Sequence, residues 1–388
     1  MNLLLVTVDS LRLDAVPRAN PGVRLPRFER AIRGFGFSSR LFSSSSATRP
    51  AHTSLFTGLY PFEHGVIGQR AVGLRPGVAH LFSICREQGR AAIGFSEAAP
   101  IFTGLDYAPW LTPLSPDAGT GLAQLEAALA GLRSSGLLFV HYWDTHAPYG
   151  AADGRADGQV LRLLEQGRLR EVEALYRRAV AAVCEEKLAP LIQRLDPQRW
   201  AVIILGDHGE SWTPEEPYHG QSLRNSVLRV PLYFHLPGTG NLEPTRPVLS
   251  TIDLFPIIAR LLNLEIEYRG FGRDLWHPGP TGPWLAEIEP LDPHDDRPAT
   301  APTPAGGSLW SVFDAEHKLT VHEGTDRVRL ERTFTEERIE DPKAEARLRA
   351  GRERLLRESS IPRSPLPRPE ADEAELLDQR LRELGYLG

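Results

Sequence analysis

Two short apolar runs, each ending in a carboxylate, constrain this chain more than any other feature. Leu3-Leu4-Leu5-Val6-Thr7-Val8 stops at Asp9, and Trp200-Ala201-Val202-Ile203-Ile204-Leu205 stops at Gly206-Asp207-His208-Gly209. Runs of this length without polar alternation belong to strands covered on both faces, the habit of parallel sheets flanked by helices. In such sheets ligands bind outside the carboxyl ends of the strands. The two runs therefore deliver Asp9, Asp207 and His208 to one edge, and Gly206 and Gly209 let the backbone turn tightly there.

A third segment, Ala47-Thr48-Arg49-Pro50-Ala51-His52-Thr53-Ser54-Leu55-Phe56-Thr57-Gly58, follows four serines, Ser43 to Ser46. Pro50 disfavours helix at Arg49, and an amphipathic run continues to Gly58, so the segment reads as a loop entering a helix. Helix N-termini offer unpaired N–H groups to anions. Alone, Thr48 reads as a cap, the two aspartates as strand-end residues and His208 as a loop histidine. Together they make a site of three oxygens and one imidazole for a divalent cation. A threonine hydroxyl is a poor nucleophile at neutral pH, and coordination to such a cation favours the alkoxide.

The rest of the chain supports an α/β class. Helix signals at Val78 to Gln88, Leu122 to Leu132 and Val160 to Arg194 alternate with strand signals at Ala91 to Phe95 and Leu137 to His141. Gly279 to Gly307, rich in proline, glycine and aspartate, reads as a linker. Leu309 to Phe313, Lys318 to His322 and Arg327 to Leu330 read as short strands of a small antiparallel subdomain spanning 308–340. A tail over 341–388 holds a charged helix near Lys343 to Arg357, a proline-rich spacer Ile361 to Pro369 and a last helix near Glu370 to Leu384, free to pack on the body or on a second subunit. With 388 residues, two or three domains fit. A formal net charge of −6 gives no electrostatic footprint for nucleic acid or an anionic membrane. Cys85 and Cys184 form no disulfide framework. The chain enters its first strand at once, without leader or spanning segment, so a cytoplasmic protein is expected.

Taken jointly the motifs resemble the sulfatase-like branch of the alkaline phosphatase superfamily. They are Val8-Asp9-Ser10-Leu11-Arg12, the Thr48 segment, Thr57-Gly58-Leu59-Tyr60-Pro61 and Glu63-His64-Gly65. Phe139-Val140-His141-Tyr142-Trp143-Asp144-Thr145-His146-Ala147-Pro148-Tyr149, Gly206-Asp207-His208-Gly209-Glu210, His219-Gly220-Gln221-Ser222-Leu223, Arg229-Val230-Pro231-Leu232 and Ser250-Thr251-Ile252-Asp253-Leu254-Phe255-Pro256 follow. The resemblance implies an alkaline-phosphatase-like sandwich with a mainly parallel central sheet, a catalytic domain over 1–278 and a small antiparallel C-terminal sheet. It implies Thr48 as nucleophile, Asp9, Thr48, Asp207 and His208 as metal ligands, and His146 at the transferred anion or leaving group. His219 is the implied group for charge stabilisation or leaving-group protonation.

Departures from the pattern narrow the chemistry. Sulfatases carry cysteine or serine at the position of Thr48 and oxidise it to formylglycine, which threonine cannot give. They have arginine where this chain has His52 and a second carboxylate where it has Ser10. The threonine form is similar to phosphodiesterases, phosphonate hydrolases and phosphoethanolamine or glycerophosphate transferases. One divalent metal is expected, Mn or Zn before Ca or Mg, since mixed carboxylate and imidazole ligation suits the former. Asp144, His146 and His219 occur in the order that supplies a second ion in two-zinc phosphodiesterases, but with different spacing. His141 reads as a substrate or second-metal contact, or else as a residue that orients a ligand or bonds to backbone, and Arg12, Arg49 and His52 read as contacts for phosphate oxygens or as ordinary surface or supporting residues. Trp143, Trp212 and Tyr218 border the site. The expected partner is a small-molecule anionic ester. A formylglycine-independent sulfatase is the alternative enzyme, and a non-catalytic anion-binding protein the alternative of another class.

Overall fold

The computed structural model describes residues 1–70, 72–132, 135–150, 157–213, 216–217, 219–238, 243–276, 282–290, 307–325, 327–367 and 370–383. Within it β1 (Asn2–Val8), β2 (Gly36–Phe42), β3 (Ala91–Ser96), β4 (Leu111–Pro113), β5 (Gly136–Tyr142) and β6 (Trp200–Gly206) come first in the chain. A two-stranded ribbon, β7 (Trp212–Thr213) and β8 (Glu216–Pro217), precedes β9 (Arg229–His235) and β10 (Leu249–Ser250). Apart from the ribbon these strands form one sheet in the order β10-β2-β9-β6-β1-β5-β3-β4. Its pairings are parallel except at β9, which runs antiparallel to both β2 and β6. The βα alternation of the sequence thus yields the mainly parallel sheet it implies.

The apolar runs are buried on both faces. Leu3 and Leu5 join Leu55, Phe56, Phe139 and Leu205 in one core, while Leu4, Val6 and Val8 join Val140, Tyr176 and Ile204 in the other. Side chains alternate across a strand, so an uninterrupted apolar run is what a sheet between two helical layers requires.

A separate four-stranded antiparallel sheet follows, with β11 (Trp284–Ile288), β12 (Leu309–Phe313), β13 (His317–His322) and β14 (Val328–Arg332) in chain order. Its first strand corrects the expected linker: Trp284–Ile288 lies within it, pairing with β12 from Trp284 opposite Phe313 to Ile288 opposite Leu309. Proline and glycine around four apolar residues and a glutamate hide such a strand, because its stability comes from the partner across the ladder. Residues 291–306 of the linker lie outside the described residues.

The expected helix Val160 to Arg194 is divided into Asp157–Glu165, Leu169–Ala182, a π-helical turn Val183–Leu188 and Ala189–Gln193. Gly167, at φ +67°, makes the first break. Pro190 has no N–H for the Glu186 carbonyl and its ring crowds it, so the helix widens there. Helix Pro342–Glu358 packs Ala344, Leu348 and Leu355 beneath the small sheet. The tail returns to the body: Gly73 N–H donates to Pro367 O (3.1 Å), Arg75 to Ser364 O (2.6 Å), and Leu377 and Leu381 of helix Ala371–Glu383 are fully buried. Among the described residues no helix is long and apolar enough to cross a membrane.

Candidate active site

The site follows from strand register. Val8 of β1 pairs with Gly206 of β6 on one side and with Tyr142 of β5 on the other. The next residues along β1 and β6, Asp9 and Asp207, therefore emerge side by side. His208 and Ser10 N–H groups both donate to Asp207 Oδ1, at 2.8 and 3.1 Å, and Ser10 Oγ donates to Asp9 Oδ1 at 2.7 Å. Ser10 adopts φ +51°, an unusual left-handed conformation for a serine that turns its N–H toward Asp207. Gly209 is sterically required: a Cβ there would lie 2.1 Å from the Ser226 carbonyl.

Thr48 is the first residue of helix Thr48–Thr57, entered from Ala47, which has no capping side chain. Arg49 is helical despite the proline after it, because Pro50 stands in the first turn, where its missing N–H costs nothing. Thr48 Oγ1 lies 3.1 Å from Asp9 Oδ2 and 3.4 Å from His208 Nε2. His208 Nδ1 donates to Gly209 O at 2.9 Å, which leaves the Nε2 lone pair facing threonine and carboxylates. The four residues that the sequence brings together are thus together, fully or almost fully buried.

This arrangement fits a divalent cation. Asp207 Oδ2 and His141 Nε2 are buried and have no hydrogen-bond partner among the described residues. Donor atoms of Asp9, Asp207 and His208 lie within 4.8 Å of one another. Burial and the neighbouring Asp9 push the Asp207 carboxyl well above its ordinary range. Burial opposes ionisation of Asp9 too, yet facing His141, His208, His146 and His219 holds it below that range. The two adjacent buried carboxyls accommodate one negative charge and resist the second, the electrostatic imbalance that a dication would remove.

Four further histidines line the space. His52, in the helix of Thr48, donates from Nδ1 to Thr48 O and accepts at Nε2 from Thr7 Oγ1, both at 2.8 Å. Both its nitrogens are engaged, on Thr48 O and Thr7 Oγ1, so it braces the backbone at Thr48 instead of offering a nitrogen to a phosphate oxygen. His146 stacks on Trp143 at 4.1 Å and lies 4.9 Å from His219, whose ring is 4.5 Å from that of His208. Burial pushes His146 down to about 4 and His219 to about 3, so both are neutral imidazoles at physiological pH. His219 Nδ1 sits 3.3 Å from Glu210 Oε2. Burial raises Glu210 to about 7.

Three expected contacts are directed elsewhere. Asp144 ion-pairs with Lys187, whose ammonium also lies 2.5 Å from Glu97 Oε1. Arg49 is buried and donates to the carbonyls of Ile101 (2.7 Å) and Thr103 (2.8 Å), a clamp between the Thr48 helix and the short 3-10 helix Ala99–Phe102. Arg12 pairs with Asp14 (2.7 Å), donates to Glu210 O (2.8 Å) and lies over the Trp212 ring at 4.5 Å. Tyr218 lies outside the described residues. Glu210, Glu97 and Lys187 have no spacing signal that singles them out: Glu210 merely follows the Asp-His-Gly turn, and Lys187 reads as one more charge on a helical face.

A family model described as type I phosphodiesterase / nucleotide pyrophosphatase matches residues 3–85, the stretch that carries Asp9 and Thr48. No curated protein sequence matches the chain. Solved structures with the same fold include the phosphonate monoester hydrolase of Silicibacter pomeroyi, at 17% identity and TM-score 0.68, covering 92% of this chain and 94% of that one. The phosphonate monoester hydrolase of Agrobacterium radiobacter matches at 16% identity and TM-score 0.69, covering 92% and 95%. A 2-O GAG sulfatase matches at 14% identity and TM-score 0.67, covering 96% of both chains. The fold is accordingly alkaline-phosphatase-like, with its mainly parallel sheet and separate small antiparallel sheet.

Proposed function

We propose that this chain is a metal-dependent hydrolase or transferase of phosphate or phosphonate esters, working through a covalent intermediate on Thr48. The observation that carries this reading is the Thr48 hydroxyl held between Asp9 and His208, beside Asp207 Oδ2, which has no hydrogen-bond partner among the described residues. Asp9, Asp207, His208 and Thr48 would hold one ion, which when bound favours the threonine alkoxide and screens charge on the ester oxygens. Asp9 and His208 fix the position of Oγ1, so attack at phosphorus starts from a prepared geometry. The new bond joins Thr48 Oγ1 to phosphorus, the ester bond to the leaving alcohol breaks, and water or a second alcohol then releases the phosphothreonine. The N-terminus of helix Thr48–Thr57 directs its positive end toward the developing charge. His219, neutral through burial, would offer a ring N–H to ester oxygens or the leaving group, whereas His146 donates its Nδ1–H to Ala147 O (2.6 Å) and would act through Nε2 as a proton acceptor. His146 and His219 are the site histidines with measurable exposure, 4% and 6%, so the ester's remainder extends past them.

Activity at sulfur is the second reading, supported by the fold shared with a sulfatase. Purified protein with Mn, Zn, Ca or Mg is assayed on nitrophenyl phosphate, bis-nitrophenyl phosphate, a phenylphosphonate ester and nitrophenyl sulfate, with Thr48→Ala alongside. Turnover of phosphorus esters by wild type, lost in Thr48→Ala, supports the proposal. Sulfate turnover alone moves the assignment to the second reading, and undiminished turnover by Thr48→Ala removes the mechanism. Silence with every metal points to an anion-binding protein.

A further inference from the structure

We infer that His141 is an additional ligand of the proposed ion, making the site one of two aspartates, two imidazoles and a threonine that selects a first-row transition dication over calcium or magnesium. This rests on the metal reading above and adds to it a residue and a metal class. His141 lies on β5, opposite Thr7 of β1. Its Nδ1 is 2.8 Å from Ser96 Oγ, and its ring is fixed in edge contact with Phe102 at 5.7 Å and Trp143 at 5.8 Å. That leaves Nε2, fully buried, with no hydrogen-bond partner among the described residues. It points at the acids: Nε2 is 3.7 Å from Asp9 Oδ2, too long for a hydrogen bond and suited to two donors of a shared ion.

The neighbouring His52 shows why the choice falls on His141. Donor atoms of His52, His141 and Asp207 also lie within 4.8 Å of one another. His52 spends both nitrogens on Thr48 O and Thr7 Oγ1, whereas His141 keeps one free. Both donor groups contain Asp207, and His141 Nε2 also lies 3.7 Å from Asp9 Oδ2, so the two groups adjoin at the paired aspartates. A buried imidazole nitrogen without a partner costs stability unless something fills its lone pair. A hydroxyl on the opposite ring nitrogen is the arrangement that orients a histidine ligand. Ser10 meanwhile offers a hydroxyl committed to Asp9. With nitrogen donors in place of a further carboxylate, the shell favours zinc, cobalt, iron or manganese, since calcium and magnesium prefer oxygen.

The test uses full-length protein stripped with chelator and titrated with Co(II), following visible absorption and the dissociation constant, together with X-ray absorption of the Zn-loaded wild type. The expected results are two imidazoles per zinc, and cobalt affinity weakened on the order of 100-fold in His141→Gln with an altered spectrum. Ser96→Ala, which leaves the ligand but frees its ring, weakens binding by about 10-fold. Unchanged cobalt affinity and spectrum in His141→Gln, with binding lost in Asp9→Asn, overturns the inference and leaves the metal site standing. One imidazole per zinc in the wild type overturns it without recourse to a variant. Absence of binding by the wild type defeats the metal reading itself. Calcium bound as tightly as cobalt by the wild type overturns the metal class.

Discussion

Two buried acidic clusters stand at the carboxyl end of the same sheet, and they are balanced in opposite ways. Beyond β3 and β5, Glu97 and Asp144 share the ammonium of Lys187, and Glu97 also accepts from Trp143 N–H at 2.7 Å. Beyond β1 and β6, Asp9 and Asp207 have no lysine or arginine between them among the described residues, and Asp207 Oδ2 is left without a partner there. The first cluster carries its own cation and is complete within the chain. The second is complete only with a cation from outside, and it is the one that faces Thr48. Asp144, which its order in the sequence offers to a second ion, belongs to the balanced cluster, where Lys187 already does what an ion would do.

Removing the partner from either cluster separates them. Asp9→Asn is expected to abolish ion retention and lower turnover by at least about 1,000-fold, with little loss of folded protein, measured by metal analysis and kcat/KM. Lys187→Met is expected to do the reverse. Glu97 then stays buried and Asp144 partly buried without their cation, so stability falls, by at most about 3–5 kcal/mol in denaturant titration because Glu97 can take up a proton, while the ion beside Thr48 is retained. Replacing Glu97, Asp144 and Lys187 together by Gln, Asn and Met restores most of that loss, because the uncompensated charge disappears.

A pH series sharpens the contrast. Burial and Asp9 raise Asp207, so the metal-free folded state keeps a proton that the unfolded chain has released above the ordinary carboxylate range. Metal-free stability therefore falls as pH rises above the ordinary carboxylate range toward the raised pKa of Asp207. A bound ion replaces that proton, so the difference in melting temperature between loaded and metal-free protein should widen with pH. A smaller slope of the same sign remains with metal bound, because burial also pushes Glu63, Glu97, Glu210 and Glu287 up to about 7. Glu287 accepts from Phe62 N–H at 2.6 Å. Glu287→Gln should reduce this residual slope by that one group's share.

The parts of the molecule legible in the sequence are those that local pattern determines. The apolar runs of β1 and β6 fix strand, burial and end point within a few residues, so Asp9, Asp207 and His208 fall on one edge from the order of residues alone. Thr48 is legible because serines, proline and the run to Gly58 mark a helix start. Partners that arrive from far along the chain are not legible. Lys187 reaches Asp144 only because a π-helical turn places it there. Arg49 looks like an anion contact beside the nucleophile, yet the carbonyls of Ile101 and Thr103, some fifty residues on, claim it. His52 and His141 are indistinguishable as letters. Only the hydrogen bonds on each ring separate the brace from the free donor.

The most direct measurement is anomalous X-ray diffraction at the absorption edge of the bound metal, on crystals of the purified protein. The account predicts one peak, enclosed by Asp9, Thr48, Asp207 and His208, and none beside Asp144 and Lys187. A peak at Asp144, or no peak near Asp207 in an active preparation, would contradict it.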